Sequence, residues 1–286
     1  TVFRNELFKG KVALVSGAGT GLGLAIATSL ARLGADLAIC GRNAERLEDA
    51  AQSLRGLGAK VLARPLDIRD PDGVDILMED VWSHFGGLDC LVNNAGGQFA
   101  KPALDLSVNG WRSVVQTNLD GTWFMTQAAA RRWVEGGRPG AVVNIVLDIW
   151  RGSPQMAHSC ASRAGVIYLS KTLAVEWAQY GIRVNCIAPG LIESSGFEHY
   201  PESARRSFHR ANPMLRVGSP PDVAEACCYL LSPAASFITG EVLTIDGGQQ
   251  LWGELWPAGR PAWFGPETDA GPSHPMRDQG KLNQEG

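Results

Sequence analysis

A glycine-rich stretch at residues 16–23 (Ser-Gly-Ala-Gly-Thr-Gly-Leu-Gly) constrains the fold more than any other part of the sequence. It follows an apolar run at 11–16 and precedes a helical pattern at 22–33, which indicates a turn between a strand and a helix. Glycines there allow a tight reversal, a close approach of backbone to a pyrophosphate, and close packing of the helix on the sheet. The open N–H groups at the helix start attract phosphates. The stretch therefore predicts a dinucleotide site made by Gly17, Gly19, Thr20, Gly21, Leu22 and Gly23, although its spacing is not G-x-G-x-x-G.

Apolar runs and helical patterns alternate along the rest of the chain. The predicted strands are 11–16, 36–40, 61–65, 88–92, 141–147, 183–187 and 243–245, and the predicted helices are 22–33, 44–57, 72–85, 111–133 and 162–179. This alternation predicts an α/β, single-domain, Rossmann-type, doubly wound parallel sheet with helices on both faces. No linker interrupts residues 1–250, so we expect one dinucleotide-binding catalytic domain there, followed by an aromatic and then polar tail at 251–286.

Charge and cysteine content exclude several functional classes. The 26 Lys and Arg residues are balanced by 29 Asp and Glu residues, a net charge of −3 that does not suit a protein binding nucleic-acid phosphates. No apolar run approaches the roughly 18 residues that span a bilayer, and the histidines have no metal-ligand spacing. Six scattered cysteines without a signal-peptide pattern favour free thiols. We therefore expect a cytoplasmic protein with no metal, membrane or nucleic-acid partner. We also expect a homodimer or homotetramer that acts on a small molecule, which composition does not decide.

The end of the second predicted strand, Cys40-Gly41-Arg42, bears on the choice of nucleotide. An NAD site usually places a carboxylate there to hold the ribose 2′-hydroxyl. Gly41 removes a charge that would repel a 2′-phosphate, and the guanidinium of Arg42 can pair with one. The sequence therefore predicts NADP(H) as the cofactor. The alternative is that Arg42 is a solvated residue at the start of the next helix.

Further motifs follow in order along the chain. They are Asp67-Ile68 after the third strand, Asn93-Asn94-Ala95-Gly96 after the fourth, Asn118 in the long helix, and Pro189-Gly190 after a later strand. Over about residues 8–250 the chain resembles the short-chain dehydrogenase/reductase family. The resemblance implies that Asp67 and Ile68 bracket the adenine, that Asn94, Ala95 and Gly96 line the cofactor ribose, and that Pro189, Gly190 and Ile192 lie at the nicotinamide end.

The family's usual active site is Asn, Ser and Tyr-x-x-x-Lys, and this sequence departs from it. Asn118 is retained, but the Ser position holds Leu147, with Asp148 next to it. The Tyr position holds Ser159 and the Lys position holds Arg163. Another pair, Tyr168 and Lys171, is spaced by three residues rather than four, and Tyr168 lies about 140° around a helix from Arg163. We therefore expect Tyr168 and Lys171 not to replace the missing pair.

Two subgroups of the family tolerate these losses. Residues 93–99, 158–159, 163–166 and 232–240 are similar to peroxisomal trans-2-enoyl-CoA reductases, and 2,4-dienoyl-CoA reductases are similar around the same sites. Both subgroups use NADPH, which agrees with Gly41 and Arg42. The resemblance implies reduction of an enoyl or dienoyl thioester, acyl-CoA-like in type. The residues fit this reaction. Reduction of a ketone needs a proton donor at the ketone oxygen, whereas hydride addition to an enoyl thioester gives an enolate, whose charge hydrogen bonds can stabilise.

Each candidate catalytic residue has its own expected role. Arg163 is expected to hold the ribose, but a guanidinium cannot relay protons near neutral pH. Ser159 is expected to donate to a thioester oxygen, beside Asn118. Asp148 is either an acid or base with a raised pKa, or a loop carboxylate paired with Arg151.

Three other functions stay open at this point. One is a carbonyl or alcohol oxidoreductase of a specialised pathway, with Asp148 as the base. Another is a dehydratase or isomerase that uses the fold without net redox chemistry. The third is a catalytically inactive, cofactor-binding partner subunit, a function consistent with the loss of both Tyr and Lys. We also expect a substrate lid at residues 193–214, and tail aromatics that either clamp the tail or line a substrate pocket.

Overall fold

Seven strands form one parallel sheet in the computed structural model, which describes residues 2–193, 202 and 208–251. The strands are β1 (Val12–Ser16), β2 (Asp36–Gly41), β3 (Val61–Pro65), β4 (Cys90–Asn93), β5 (Gly140–Ile145), β6 (Ile182–Pro189) and β7 (Val242–Ile245). Their order is β3-β2-β1-β4-β5-β6-β7. Because the order reverses between β1 and β4, the loops after these two strands diverge and open a crevice at the carboxyl edge.

Helices cover both faces of this sheet. The described residues include α1 (Gly21–Arg32), α2 (Ala44–Arg55), α3 (Pro71–Phe85), α4 (Val108–Val115), α5 (Gly121–Glu135), α6 (Ala157–Glu176) and α7 (Pro220–Leu231). Buried side chains of α1, α2 and α7 form one core layer, and those of α3, α5 and α6 form the other. With two covered faces, central strands such as β1, β4 and β5 are wholly buried, which explains their continuous apolar runs. The predicted doubly wound α/β fold is confirmed.

The long helix predicted over 111–133 is interrupted by a π-helical turn. It begins earlier, at Val108, where the Ser107 side chain caps it by accepting from the Gly110 N–H. A π-helical turn, Gln116–Asp120, joins α4 to α5, and the N–H of Gly121 donates to the carbonyl of Gln116 five residues back. The prediction of one regular helix is therefore wrong at this turn, because a pattern with a 3.6-residue period does not reveal one inserted residue.

Two predicted boundaries beside the site also differ. The strand predicted over 141–147 ends at Ile145, so Leu147 and Asp148 lie in a loop. The helix predicted from 162 begins at Ala157. Its first turns bury the polar side chains of His158, Ser159 and Ser162, and a buried polar face conceals a helix start from hydrophobic patterning.

Parts of the sequence-based predictions fall beyond the described chain. The lid predicted at 193–214 is described only at Glu193, at Glu202 and from Phe208 onward, and the tail predicted at 251–286 only at Leu251. Within residues 2–193 and 208–251 no helix has the length and apolar character needed to cross a membrane.

Candidate active site

The glycine turn packs the start of α1 against the end of β4. Gly17 has a left-handed φ of 67°, and a Cβ there would lie 2.9 Å from Ala95 Cα. A Cβ at Gly23 would collide with the carbonyl oxygen of Gly17. Thr20, the residue before α1, makes no capping hydrogen bond through its side chain, and the first turn has no acidic residue. The first N–H groups of α1 are therefore open to an anion, which fits a pyrophosphate.

Ser16 and Asn94 fasten the two strand ends on either side of the crevice. The Ser16 hydroxyl oxygen accepts from the N–H groups of Asn94 and Ala95, at 3.1 and 3.0 Å. The Asn94 side chain donates to the carbonyl oxygens of Ser16 and Gly17, at 3.0 and 3.2 Å. This pairing holds β1 and β4 in register where a dinucleotide would cross from one half of the sheet to the other.

A cavity of about 270 Å³ continues from the glycine turn over the end of β2. Its basic side chains are Arg42 and Arg46, and Asn43 caps α2 by accepting from the Arg46 N–H at 2.8 Å. Hydrogen bonds from Arg69 hold the pKa of Asp67 below its ordinary value, so this carboxylate stays ionised and paired. Of the predicted cofactor residues, the lining contains Gly17, Gly19, Thr20, Arg42, Asp67, Ile68, Asn94, Ala95 and Gly96. Gly21, Leu22 and Gly23 lie in the first turn of α1.

The other end of the crevice lies at the end of β6. Pro189 is the last residue of that strand, and the N–H of Gly190 donates to the carbonyl of Ile245 at 3.0 Å. Ile192 lines a second cavity of about 300 Å³, together with Thr244 and Asp246 of the β7 end. The structure thus places the residues predicted for the adenine and nicotinamide ends on opposite sides of the sheet's reversal point.

Asn118 clamps the loop that follows β4. Its carboxamide oxygen accepts from the Gly97 N–H at 2.9 Å, and its nitrogen donates to the Gly97 carbonyl at 3.1 Å. The same nitrogen donates to Ser162 Oγ at 3.2 Å, which ties the loop to α6. Asn118 itself sits in the π-helical turn, a feature that often marks functional sites.

Ser159 is buried in the first turn of α6, and its hydroxyl is already engaged. Ser159 Oγ donates to Gln98 Oε1 at 2.8 Å, and its N–H donates to Nδ1 of His158 at 2.8 Å. Ser162 Oγ donates to the Ser159 carbonyl at 3.0 Å. The His158 ring also meets Phe99 edge-on, with 4.5 Å between ring centroids. The predicted hydroxyl donor therefore faces the loop after β4 rather than open solvent.

Arg163 is buried one turn further along α6. Its Nη1 donates to the carbonyl oxygen of Ile145 at 2.8 Å. A Cβ at Gly96 would collide with its guanidinium and would lie 3.0 Å from Asn118 Oδ1. Burial lowers the pKa of Arg163 to about 10, so the group stays protonated near neutral pH. The arrangement places a fixed positive charge directly beneath the backbone of Gly96.

Asp148 lies in the loop between β5 and α6. Its N–H donates to the Pro189 carbonyl at 3.3 Å, and its carboxylate accepts from the Trp150 N–H at 3.4 Å. The Trp150 ring N–H reaches Thr244 Oγ1 at 3.4 Å, so this loop spans the ends of β6 and β7. Burial raises the pKa of Asp148, and the charge of Asp246 raises it further.

Tyr168 and Lys171 lie outside the site. Both are exposed on the outer side of α6, whereas Ser159, Ser162 and Arg163 occupy its buried side. Within the described residues no group of three or more His, Cys, Asp or Glu side chains is placed to hold a metal ion.

Comparison with known proteins identifies the family. A family model described as enoyl-(acyl carrier protein) reductase matches residues 17–250. The crystal structure of a short chain dehydrogenase from Bacillus anthracis is 40% identical, has a TM-score of 0.79, and is matched over 86% of this chain and 98% of that one. This chain belongs to the short-chain dehydrogenase/reductase family. As a short-chain dehydrogenase/reductase it is an oxidoreductase that uses a nicotinamide cofactor, NAD or NADP.

Relatives of this short-chain dehydrogenase/reductase carry different activities in their names. A Bacillus subtilis protein named as a probable 2,4-dienoyl-CoA reductase, producing (2E)-enoyl-CoA, is 39% identical over 84% of this chain and 97% of its own length. A cis-4-hydroxycyclohexanecarboxylate dehydrogenase of Sinomonas cyclohexanicum is 38% identical over 85% of this chain and 98% of its own. The two names represent reduction of a conjugated thioester and oxidation of an alcohol.

Sequence reasoning missed two side chains of this short-chain dehydrogenase/reductase site. In the sequence, Gln98 was noted only as part of residues 93–99, and its position gave no sign of the hydrogen bond that it accepts from Ser159. Arg46 could have been found, since it lies four residues after Arg42 and in the first turn of α2, where a phosphate would meet the helix start.

Proposed function

We propose that this protein is an NADPH-dependent reductase of a carbon–carbon double bond conjugated to a thioester, of the enoyl-CoA or dienoyl-CoA type. One observation carries the proposal. The two positions that hold Tyr and Lys in the family hold Ser159 and Arg163, and neither side chain exchanges a proton near neutral pH. The site thus lacks the acid that a ketone oxygen requires but keeps donors that can stabilise an enolate.

The cofactor assignment is supported by the cavity over β2. When bound, the reduced nicotinamide supplies the hydride. Gly41 leaves no carboxylate at the end of β2, and the two guanidinium groups of Arg42 and Arg46 line the cavity beside it. Two positive charges at a helix start suit a 2′-phosphate, which favours NADPH over NADH.

Each residue of the network then has a stated role. Arg163 holds its charge under Gly96 and supports the cofactor ribose, in place of the family's lysine. Asn118 fixes the Gly97 backbone, and Ser159 holds the Gln98 carboxamide from the first turn of α6. Asp148, in the loop after β5, takes part in proton delivery, and burial raises its pKa.

The test is consumption of NADPH with three thioesters. We expect oxidation of NADPH with trans-2-enoyl-CoA or 2,4-dienoyl-CoA of matched chain length and none with 3-oxoacyl-CoA. Turnover of 3-oxoacyl-CoA alone contradicts the proposal. Conversion of substrate without net NADPH loss contradicts it too, and indicates dehydration or isomerisation. The name of the Bacillus subtilis relative makes the dienoyl thioester the first substrate to try.

The second candidate is an alcohol or carbonyl oxidoreductase with Asp148 as its base, and two observations favour it. Burial and the charge of Asp246 raise the pKa of Asp148, which makes its carboxylate a stronger base. The Sinomonas relative is named a dehydrogenase of an alicyclic hydroxy acid. Reduction of NADP⁺ by hydroxycarboxylic acids, without activity on enoyl-CoA, would select this candidate.

We also propose a cytoplasmic homodimer or homotetramer whose catalytic domain ends near residue 250, with 251–286 as a tail. All six cysteines are free, which suits a reducing compartment. Trp111 of α4 and Tyr168 and Val175 of α6 expose large apolar side chains on outward faces, which suits contacts between subunits. Sedimentation of the full chain tests the assembly, and limited proteolysis tests the boundary.

A further inference from the structure

A cavity at the end of β7, the β7 cavity, combines apolar walls with hydrogen-bond acceptors. Its volume of about 300 Å³ is at the lower end of the range of small-molecule sites. Leu191, Ile192 and Met214 supply apolar parts of the wall, whereas Asn212 and Asp246 supply acceptors. A plain hydrocarbon group would pack well on the apolar side chains, but it would bring no hydrogen-bond donor to the acceptors.

The β7 cavity adjoins the proposed reaction centre. The N–H of Asp148 donates to the carbonyl of Pro189 at 3.3 Å, and the N–H of Gly190 donates to the carbonyl of Ile245 at 3.0 Å. The loop after β5 and the ends of β6 and β7 are therefore fastened side by side. Asp246 lines the cavity and is near enough to Asp148 for its charge to raise the pKa of that carboxyl. The cavity is thus within reach of a substituent on a substrate whose reacting carbons lie at the β6 end.

Two buried carboxamide oxygens beside Asp246 accept no hydrogen bond within the part of the chain that the structure describes. They are Asn212 Oδ1 and Gln249 Oε1. A Cβ at Gly247 would lie 2.8 Å from Asn212 Oδ1, and a Cβ at Gly190 would lie 3.1 Å from Gln249 Oε1 and 2.7 Å from Asp246 Cβ. Both oxygens therefore lie against glycines that adjoin Asp246. A buried acceptor without a donor is unfavourable, so a ligand that brings a donor gains affinity there.

The charged groups of the β7 cavity are already compensated within the chain. The Asp246 carboxylate accepts from the N–H groups of Gly248 and Gln250, at 2.8 and 2.7 Å. Asp222 forms an ion pair with Arg216 at 2.8 Å. The acceptor that still lacks a donor is a neutral carboxamide oxygen, and burial of an unpaired ammonium group beside it would be costly. The cavity therefore suits an uncharged donor, and a hydroxyl is the simplest one that an acyl group carries.

We propose that the β7 cavity binds a hydroxyl-bearing substituent of the substrate, and that Asn212 Oδ1 accepts the hydrogen bond from this hydroxyl. The inference deepens the proposed function and rests on it, because it names the substrate class as a conjugated thioester whose far end carries a hydroxyl. Asn212 is 2% exposed, and its nitrogen donates to the carbonyl oxygen of Arg216 at 2.8 Å. This bond fixes which end of the carboxamide meets the ligand. The apolar side chains of the wall pack on the carbon atoms between the thioester and the hydroxyl.

Turnover of paired thioesters gives the first test. We compare a series of 2-enoyl-CoA substrates of increasing length, each ending in a hydroxyl, with partners that carry a methyl group in place of the hydroxyl. At the length that fits the cavity, kcat/KM should be about tenfold higher for the hydroxyl-ended substrate, the effect of satisfying one buried acceptor. Equal or lower kcat/KM for the hydroxyl-ended substrate at every length overturns the inference.

Asn212→Leu removes the acceptor and keeps a side chain of similar size. We expect the preference to vanish through a lower kcat/KM for the hydroxyl-ended substrate, with NADPH affinity unchanged. Asn5→Leu, an exposed position near the start of the chain, is the matched control and should keep the preference. A preference that survives in Asn212→Leu contradicts the role of Asn212.

Binding to the complex of the parent with NADP⁺ needs neither turnover nor a variant. Calorimetry compares saturated acyl-CoA thioesters that carry the same hydroxyl or methyl ends. The parent should bind the hydroxyl-ended thioester about tenfold more tightly at the length that fits. If the two affinities are equal at every length, the inference is wrong even when the parent reduces enoyl-CoA. If the hydroxyl-ended thioester binds more tightly but neither enoyl series is reduced, the cavity assignment holds and the proposed function fails instead.

Discussion

The guanidinium of Arg163 donates a hydrogen bond to the carbonyl oxygen of Ile145, joining the buried side of α6 to the last residue of β5. This contact fixes a positive charge at the carboxyl edge of the sheet, below Gly96. The loop with Asp148 departs from the same strand end. One strand end therefore anchors both the buried charge of Arg163 and the loop that carries the ionisable carboxylate of Asp148.

Arg163→Met is expected to weaken NADPH binding about tenfold, or about 1.4 kcal/mol, because the variant loses the charge that we propose supports the cofactor ribose. The free energy of unfolding should change by less than about 2 kcal/mol, since methionine fills similar space without a desolvated charge. Fluorescence titration and urea unfolding measure the two effects.

Arg183→Met is the matched control for Arg163. Arg183 donates to the carbonyls of Leu230 and Ser232 at the end of α7, away from the crevice. Its loss should lower the free energy of unfolding by about 2 kcal/mol and leave NADPH affinity unchanged. Equal loss of NADPH affinity in both variants would remove Arg163 from the cofactor site.

Arg42→Ala and Arg46→Ala should each weaken NADPH binding at least about tenfold and change NADH binding by less than about threefold. The reason is that both guanidinium groups line the cavity where a 2′-phosphate would lie. Arg55→Ala, at the far end of α2 and paired with Glu48, is the control. Equal losses for the two nucleotides would contradict the NADPH assignment.

Asp148→Asn is expected to slow turnover while leaving NADPH affinity intact, because the amide cannot exchange a proton. The same change should alter stability in a pH-dependent way. Burial raises the pKa of Asp148, so its contribution to stability is full at low pH and is lost as pH rises through the raised pKa. The variant should therefore melt higher than the parent at about pH 8, and the gain should vanish towards about pH 4. Unchanged turnover would exclude Asp148 from the reaction.

Asp246→Asn tests the electrostatic part of the same shift. The charge of Asp246 raises the pKa of Asp148, so its removal should lower that pKa and move the corresponding limb of the pH–kcat profile to lower pH. Asp75→Asn, exposed on α3, should leave the profile in place. If that limb of the pH–kcat profile stays in place or moves to higher pH in Asp246→Asn, the charge of Asp246 does not raise the pKa of Asp148.

Gly23→Ala is expected to destabilise the protein by about 1–3 kcal/mol, because its Cβ would collide with the backbone oxygen of Gly17. Gly19→Ala should leave the fold intact, since its nearest neighbours would lie 3.6 Å away. Thermal unfolding without nucleotide separates this packing effect from any effect on binding. A Gly23→Ala protein as stable as the parent would show that the turn can relax.

The sheet was predictable because its signals are local. The run at 11–16, the glycine turn and the alternation of strand and helix specify parallel strands without knowledge of distant contacts. The π-helical turn was not predictable, because an inserted residue leaves no mark on a short periodic pattern. The first turns of α6 were missed for a related reason, since His158 and Ser159 are polar yet buried.

The candidate site likewise has one part that the sequence predicts and one part that it does not. Positions such as Gly17, Asn94 and Arg42 follow strand ends directly, so their places at the carboxyl edge follow from topology alone. The bond between Gln98 and Ser159 joins residues 61 positions apart, and its direction depends on how two loops pack. The sequence predicts that the Ser159 hydroxyl donates to a thioester oxygen, whereas in the structure it donates to Gln98 Oε1.

The π-helical turn at Gln116–Asp120 has a consequence for how the protein can evolve. The turn holds one residue more than a regular α-helix would need over the same length, so its removal would let α4 run straight into α5 while both helices keep the same faces towards the sheet. Such a shortened protein should keep its fold and lose the bulge that seats Asn118, and with it the two hydrogen bonds to the Gly97 backbone.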